Sequence, residues 1–144
     1  DIGSRKKLLE EMARLLTIPL NRDVNLEEDG ELTKEKDIYL QLWEREKLGT
    51  TGIGNGVALP HSRCPQASKA IVAIITLKDA VDYDSLDRQP VNVAFGLLVP
   101  TEATQDHLNL LADIARMMSD NQHKAEVADA ASAQDIIRLI GDWS

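Results

Sequence analysis

The amino-acid sequence predicts a single compact α/β domain over residues 1–144, with a mixed β-sheet flanked by helices on both faces. Three observations carry this expectation. Two segments of helical periodicity open the chain, two continuous apolar runs of strand length occupy its middle, Ala70 to Leu77 (AIVAIITL) and Val91 to Val99, and an amphipathic helical stretch follows from Thr104. Runs without alternation have no polar face to turn toward water, so helices must cover both sides of the sheet. At 144 residues, one core can bury most of the surface that unfolding exposes.

Taken in order, Ser4 is a candidate N-cap for a helix through Leu16, with Leu8, Leu9, Met12, Leu15 and Leu16 at helical spacing and Thr17, Ile18 and Pro19 ending it. The acidic stretch from Asn21 to Glu31 lacks periodicity and reads as an exposed loop. Thr33 can cap a second helix to about Lys47, with Glu35 and Asp37 at the positive end of the dipole. Its apolar stripe, Ile38 and Leu42, ends on Arg45. A glycine-dense turn, TTGIGNG (Thr50 to Gly56), leads into a short strand from Val57 to His61, closed by Pro60. After the two apolar strands, Thr104 can cap a helix whose inward stripe is Leu108, Leu111, Ala115 and Met118, and shorter helices start near Gln122 and Ala133.

Composition narrows the function. A net charge of −8 with 3% aromatic residues lacks the basic surface and stacking rings of a nucleic-acid binder. No apolar run reaches bilayer length, so no membrane insertion is expected. One cysteine, Cys64, excludes an internal disulfide and fits a reducing, cytoplasmic setting. The chain opens DIGSRKK, without an initiator methionine or a signal-peptide core, so upstream sequence is expected to have been removed or left out.

Three polar residues stand in unusual places. His61 follows Pro60 at the mouth of the glycine-rich turn, where rigid backbone can present a side chain. Neutral imidazole attacks phosphorus near neutral pH and leaves readily afterwards, which suits a reversible carrier, although a lone histidine at a strand end is more often structural. With Thr104 as N-cap, His107 takes the N3 position of its helix, where the dipole and free N–H groups favour an anion. Arg45 ends an apolar stripe, where snorkelling toward water is the commoner role but a guanidinium can also fork onto two phosphate oxygens. Together, a nucleophile, a permanent cation and a helix-terminal imidazole are the parts of phosphoryl transfer, which depends on positioning and charge neutralisation.

Other motifs fail on spacing. Gly52, Gly54 and Gly56 form GxGxG without the third glycine of a dinucleotide fingerprint and without a following GK[ST]. His61 and Cys64 make a bare HxxC with no second cysteine, so no metal site is expected. Cys64 reads as an inert buried thiol, and His123 as an exposed helix residue.

The run REKLGTTGIGNGVALPHSR (Arg45 to Arg63) strongly resembles the active-site signature of the enzyme IIA domains of the bacterial phosphotransferase system, fructose/mannitol class, and within it the nitrogen-related regulatory branch. The similarity continues through Gln89-Pro90-Val91, Leu97-Leu98-Val99-Pro100 and His107-Leu108, and the GNGVALPH core is highly specific. The resemblance implies that His61 is phosphorylated, that Arg45 and His107 assist at the phosphate, that the donor is a phosphorylated HPr-type carrier protein, and that no cofactor, metal or nucleotide is bound. Downstream it implies either a regulatory target protein or a IIB domain on the way to sugar uptake. A non-catalytic binding module with a structural His61 is the reading of another class. Three departures from the family are expected: Ser62 replaces the usual small residue, often glycine, the acidic stretch Asn21 to Glu31 is long, and the segment that most family domains carry before the first helix is expected to be absent. An apolar patch from Ile53 and Leu59 is expected to receive the partner.

Overall fold

Ser4 caps helix α1 (Arg5–Arg22) by accepting a hydrogen bond from the Lys7 N–H at 3.2 Å. The computed structural model describes residues 2–22, 32–102 and 105–128, the side chains of 106, 107, 123 and 128 excepted. Contrary to the expected end at Leu16, α1 continues through Pro19. An interior proline forfeits a ladder hydrogen bond and costs about 3 kcal/mol. Tertiary contacts offset this: Leu20 extends the buried stripe of Leu8, Leu9, Met12 and Leu16 by another turn. Asn21 then clamps the helix end, donating from Nδ2 to the Thr33 carbonyl at 2.9 Å and accepting from the Thr33 N–H at 2.7 Å.

That clamp changes the start of the second helix, α2 (Glu35–Leu48). Its N-cap is Lys34, not Thr33, and no side chain makes the capping bond. Glu35 and Asp37 do occupy the first turn. Of the expected loop, Asn21 and Arg22 are helical, and residues 23–31 lie outside the described residues.

The five strands are β1 (Gly52–Gly54), β2 (Val57–Ala58), β3 (His61–Cys64), β4 (Ile71–Val81) and β5 (Val91–Pro100). Strands β1 and β2 form an antiparallel hairpin whose turn has positive φ at Gly54, Asn55 and Gly56 (94°, 57° and 77°), a conformation that glycine and asparagine tolerate. Strands β2 and β3 pair in parallel with the same strand, β5, at Val57↔Val93 and His61↔Leu97. The expected single strand from Val57 to His61 is therefore two, broken at Leu59–Pro60, because proline has no N–H for the ladder. Strand β4 pairs antiparallel with the opposite edge of β5, which makes the sheet mixed, as expected.

Strand β5 is buried along nearly its whole length. Strand β4 is not: Val72 is 44% exposed, because this strand lies at the edge of the sheet. One face of the sheet packs against α1 and α2. The other packs against α3 (Gln105–Ser119) and α4 (Asn121–Ala128) through Ile114, Met117, Met118 and Val127. Leu108, expected in that stripe, is instead half exposed and lines an open cleft. Thr104 and the helix expected from Ala133 lie outside the described residues. Among the described residues no helix is long and apolar enough to cross a membrane.

Candidate active site

The break at Leu59–Pro60 sets the geometry of His61. The chain leaves the ladder for two residues and rejoins it as the Pro60 carbonyl accepts the Leu97 N–H at 3.0 Å. The imidazole folds back so that Nδ1 lies 2.6 Å from the Leu59 carbonyl oxygen. A carbonyl can only accept, so Nδ1 carries the proton and the neutral ring keeps its lone pair on Nε2. Burial is the largest influence on the ring and holds its pKa below the ordinary imidazole value; the Leu59 carbonyl opposes this, the Arg45 charge reinforces it, and Glu46 weakly opposes it. The neutral form therefore dominates at neutral pH.

His61 and Arg45 line one open cleft of about 650 Å³ between the C-terminal part of α2, β3 and the start of α3. Arg45 sits in the last turn of α2, where its Nη1 donates to the Gly49 carbonyl at 2.8 Å, satisfying an acceptor just past the helix end. That bond uses one of the five N–H donors of the guanidinium. Arg63, two residues beyond His61 on β3 and hence on the same face, also lines the cleft and donates to the Thr101 carbonyl at 3.1 Å. Leu40, Leu48 and Leu108 give the cleft an exposed apolar rim. Ile53 is exposed as expected, but Leu59 is 5% exposed and packs into the core, so it adds nothing to a surface patch.

Behind the cleft lies a residue that sequence reading passes over. Glu46 is 4% exposed, and its carboxylate accepts the Thr51 N–H at 2.8 Å, the Thr51 hydroxyl at 2.5 Å and the Tyr83 hydroxyl at 3.1 Å, with the Arg5 guanidinium 3.8 Å away. Burial and the neighbouring carboxylate drive the Tyr83 phenol far above its usual range, so it stays a donor.

His107 is the third residue of α3, next to Leu108 of the cleft rim; its side chain, like that of His123, lies outside the described residues. Cys64 is buried, burial raises its thiol pKa, and it donates to Gln66 Oε1 at 3.2 Å. It faces the opposite side of β3 from His61, so the HxxC spacing assembles no shared site. Among the described residues, no three His, Cys, Asp or Glu side chains group as metal ligands would.

This fold and cleft define an enzyme IIA domain, and the chain belongs to the family described as "Phosphoenolpyruvate-dependent sugar phosphotransferase system, EIIA 2", whose profile matches residues 1–143. It is 38% identical over 140 residues to a nitrogen regulatory protein of Pseudomonas aeruginosa, covering 97% of this chain and 84% of that protein. The crystal structure of nitrogen regulatory protein IIA-Ntr from Neisseria meningitidis superposes with a TM-score of 0.85 at 33% identity, covering 97% of this chain and 88% of the other. A fructose-specific EIIA component of Haloferax volcanii is 31% identical over 120 residues, 83% of this chain and 78% of that protein.

Proposed function

We propose that this chain is a histidine phosphocarrier of the nitrogen-regulatory branch, a cytoplasmic phosphotransferase that takes a phosphoryl group from a phosphorylated HPr-type protein onto Nε2 of His61. The observation that carries this reading is the 2.6 Å contact of His61 Nδ1 with the Leu59 carbonyl, which leaves Nε2 as the nucleophile in a cleft shared with Arg45. As the new N–P bond forms, the N–P bond of the donor phosphohistidine breaks, and the donor ring, protonated on its other nitrogen, leaves as neutral imidazole. The His61 ring becomes a phosphoimidazolium, its Nδ1 proton still held by Leu59. Arg45 neutralises charge spreading over the equatorial oxygens, and His107, near the N-terminus of α3, assists from the opposite helix. Similarity to nitrogen regulatory proteins over 97% of the chain supports a role in which phosphorylation changes binding to a regulatory target.

The fructose-specific relative supports a second reading, transfer onward to a IIB domain during sugar uptake. Incubation with a phosphorylated HPr-type donor tests both. Acid-labile phosphate on the wild type and none on His61→Ala is the expected result; efficient onward transfer to a IIB domain would favour transport. Unchanged intact mass in the wild type would leave only a binding module.

A further inference from the structure

Two chains of hydrogen bonds leave Glu46 and end on the two cleft residues. On one branch the Glu46 carboxylate binds the Thr51 N–H and hydroxyl, the Thr51 carbonyl accepts the Leu59 N–H at 2.9 Å, and the Leu59 carbonyl accepts His61 Nδ1–H at 2.6 Å. On the other, the Glu46 carbonyl accepts the Gly49 N–H at 3.1 Å, and the Gly49 carbonyl accepts Arg45 Nη1–H at 2.8 Å. We propose that Glu46 is a positioning residue, which fixes the Leu59 carbonyl and with it the Nδ1–H tautomer of His61, while the same helix end aims Arg45 into the cleft.

The inference rests on the phosphocarrier reading for its kinetic consequence and on the geometry alone for its structural one. Free neutral imidazole carries its proton on either nitrogen, so only a well-placed acceptor at Nδ1 keeps Nε2 unprotonated. Leu59 lies in the two-residue gap where β5 gives no ladder bond to hold it, and its N–H bond to Thr51 is what sets the plane of its neighbourhood. Thr51 lies three residues beyond the end of α2, and three donors from Thr51 and Tyr83 converge on one buried carboxylate. A carboxylate removed from water costs more than an apolar residue of similar size, so mere filling of this space would not call for one. What the charge adds is strong, directional acceptance of all three donors.

The test is Glu46→Gln in full-length protein, read in three ways: ¹⁵N shifts of the His61 ring, single-turnover and steady-state transfer from a phosphohistidine carrier protein, and thermal melting. Glutamine keeps one acceptor oxygen and puts an NH2 group where the other stood, so Thr51 loses one anchor. The expected result is a folded variant with an increased Nε2–H population, kcat lower by about 10- to 100-fold and KM nearly unchanged. A variant with the wild-type tautomer and kcat but a lower melting temperature would overturn the proposal, since Glu46 would then be structural only. Should Glu46→Gln not fold, Tyr83→Phe removes one donor to the same oxygen and must shift the tautomer in the same direction by less; no shift there would equally overturn it. Ring shifts are read on unphosphorylated protein, so a wild type that takes no phosphate would defeat the phosphocarrier reading while the tautomer still decides the role of Glu46.

Discussion

Replacing Tyr83 by phenylalanine deletes one oxygen from the interior and leaves the ring in place. Tyr83 is fully buried, its hydroxyl lies 3.1 Å from Glu46 Oε1 and 2.9 Å from Thr51 Oγ1, and its raised pKa keeps the proton on the phenol throughout the stable pH range. The deleted atom leaves too small a gap for a cavity penalty, so the loss is that of a hydrogen bond to a charged, water-excluded acceptor, about 1.5–3 kcal/mol. Oε1 still accepts the Thr51 hydroxyl, which places the expected loss near the middle, about 2 kcal/mol. For a chain of this length that corresponds to a fall in melting temperature of about 6–8 °C. Urea titration should show a lower midpoint with an unchanged slope, as the surface exposed on unfolding is the same. The control is Tyr39→Phe: Tyr39 is partly buried, its hydroxyl makes no hydrogen bond among the described residues, and the change should cost little. A loss below about 0.5 kcal/mol in Tyr83→Phe, within the range of ordinary surface changes, would refute the view that Glu46 depends on this donor.

Four further outcomes follow from the structure. Because burial lowers the His61 pKa, the rate of phosphate acceptance should stay flat as pH falls through the usual imidazole range and decline only below it; a decline centred on about 6.5 would contradict the buried ring. The stability sign agrees: the folded state binds fewer protons than the unfolded state, so wild-type protein should lose stability below about pH 6.5 relative to His61→Asn, measured by urea titration across pH. Arg45→Ala should slow transfer by about 10²–10³-fold with the fold intact, and lysine, which lacks the planar fork, should restore only part of it in a rapid-quench assay. Gly96→Ala would drive a Cβ into Met12 Sδ where α1 crosses β5, a loss of about 1–3 kcal/mol in thermal unfolding that Met12→Ala should partly relieve.

Legibility in the sequence follows the range of the forces involved. Strand β5 was readable because a strand buried on both faces needs an unbroken apolar run, and the Ser4 cap because its partner lies three residues away. Pro19 misled because the helix survives on Leu20 packing and on Asn21 reaching Thr33, contacts that local propensity does not contain. The run Ile71 to Leu77 of β4 is as apolar as β5, and nothing in that run says that it lies at an edge. His61 and Arg45, which line one cleft, stand out in the sequence by their position against the glycine-rich turn and by family likeness. Glu46 was not, since beside Arg45 it reads as one more charge on a helix, and Tyr83, which keeps it buried, is 37 residues away. Arg63 carried a usable signal: two residues from His61 on a strand, it had to share its face.

The gap between β2 and β3 has a mechanical meaning. The continuous strand alongside holds both ends of the interruption in register, through Ala58 and the Pro60 carbonyl, so Leu59 works like the open link in a rail whose sleepers remain fixed. On the phosphocarrier reading, a donor protein would press on the ring mounted at the first residue beyond the gap, or pull away from it, without shearing the sheet. Repeated loading and unloading should thus leave the scaffold in one shape, and any signal to a third party would have to be read from the occupant of the cleft itself.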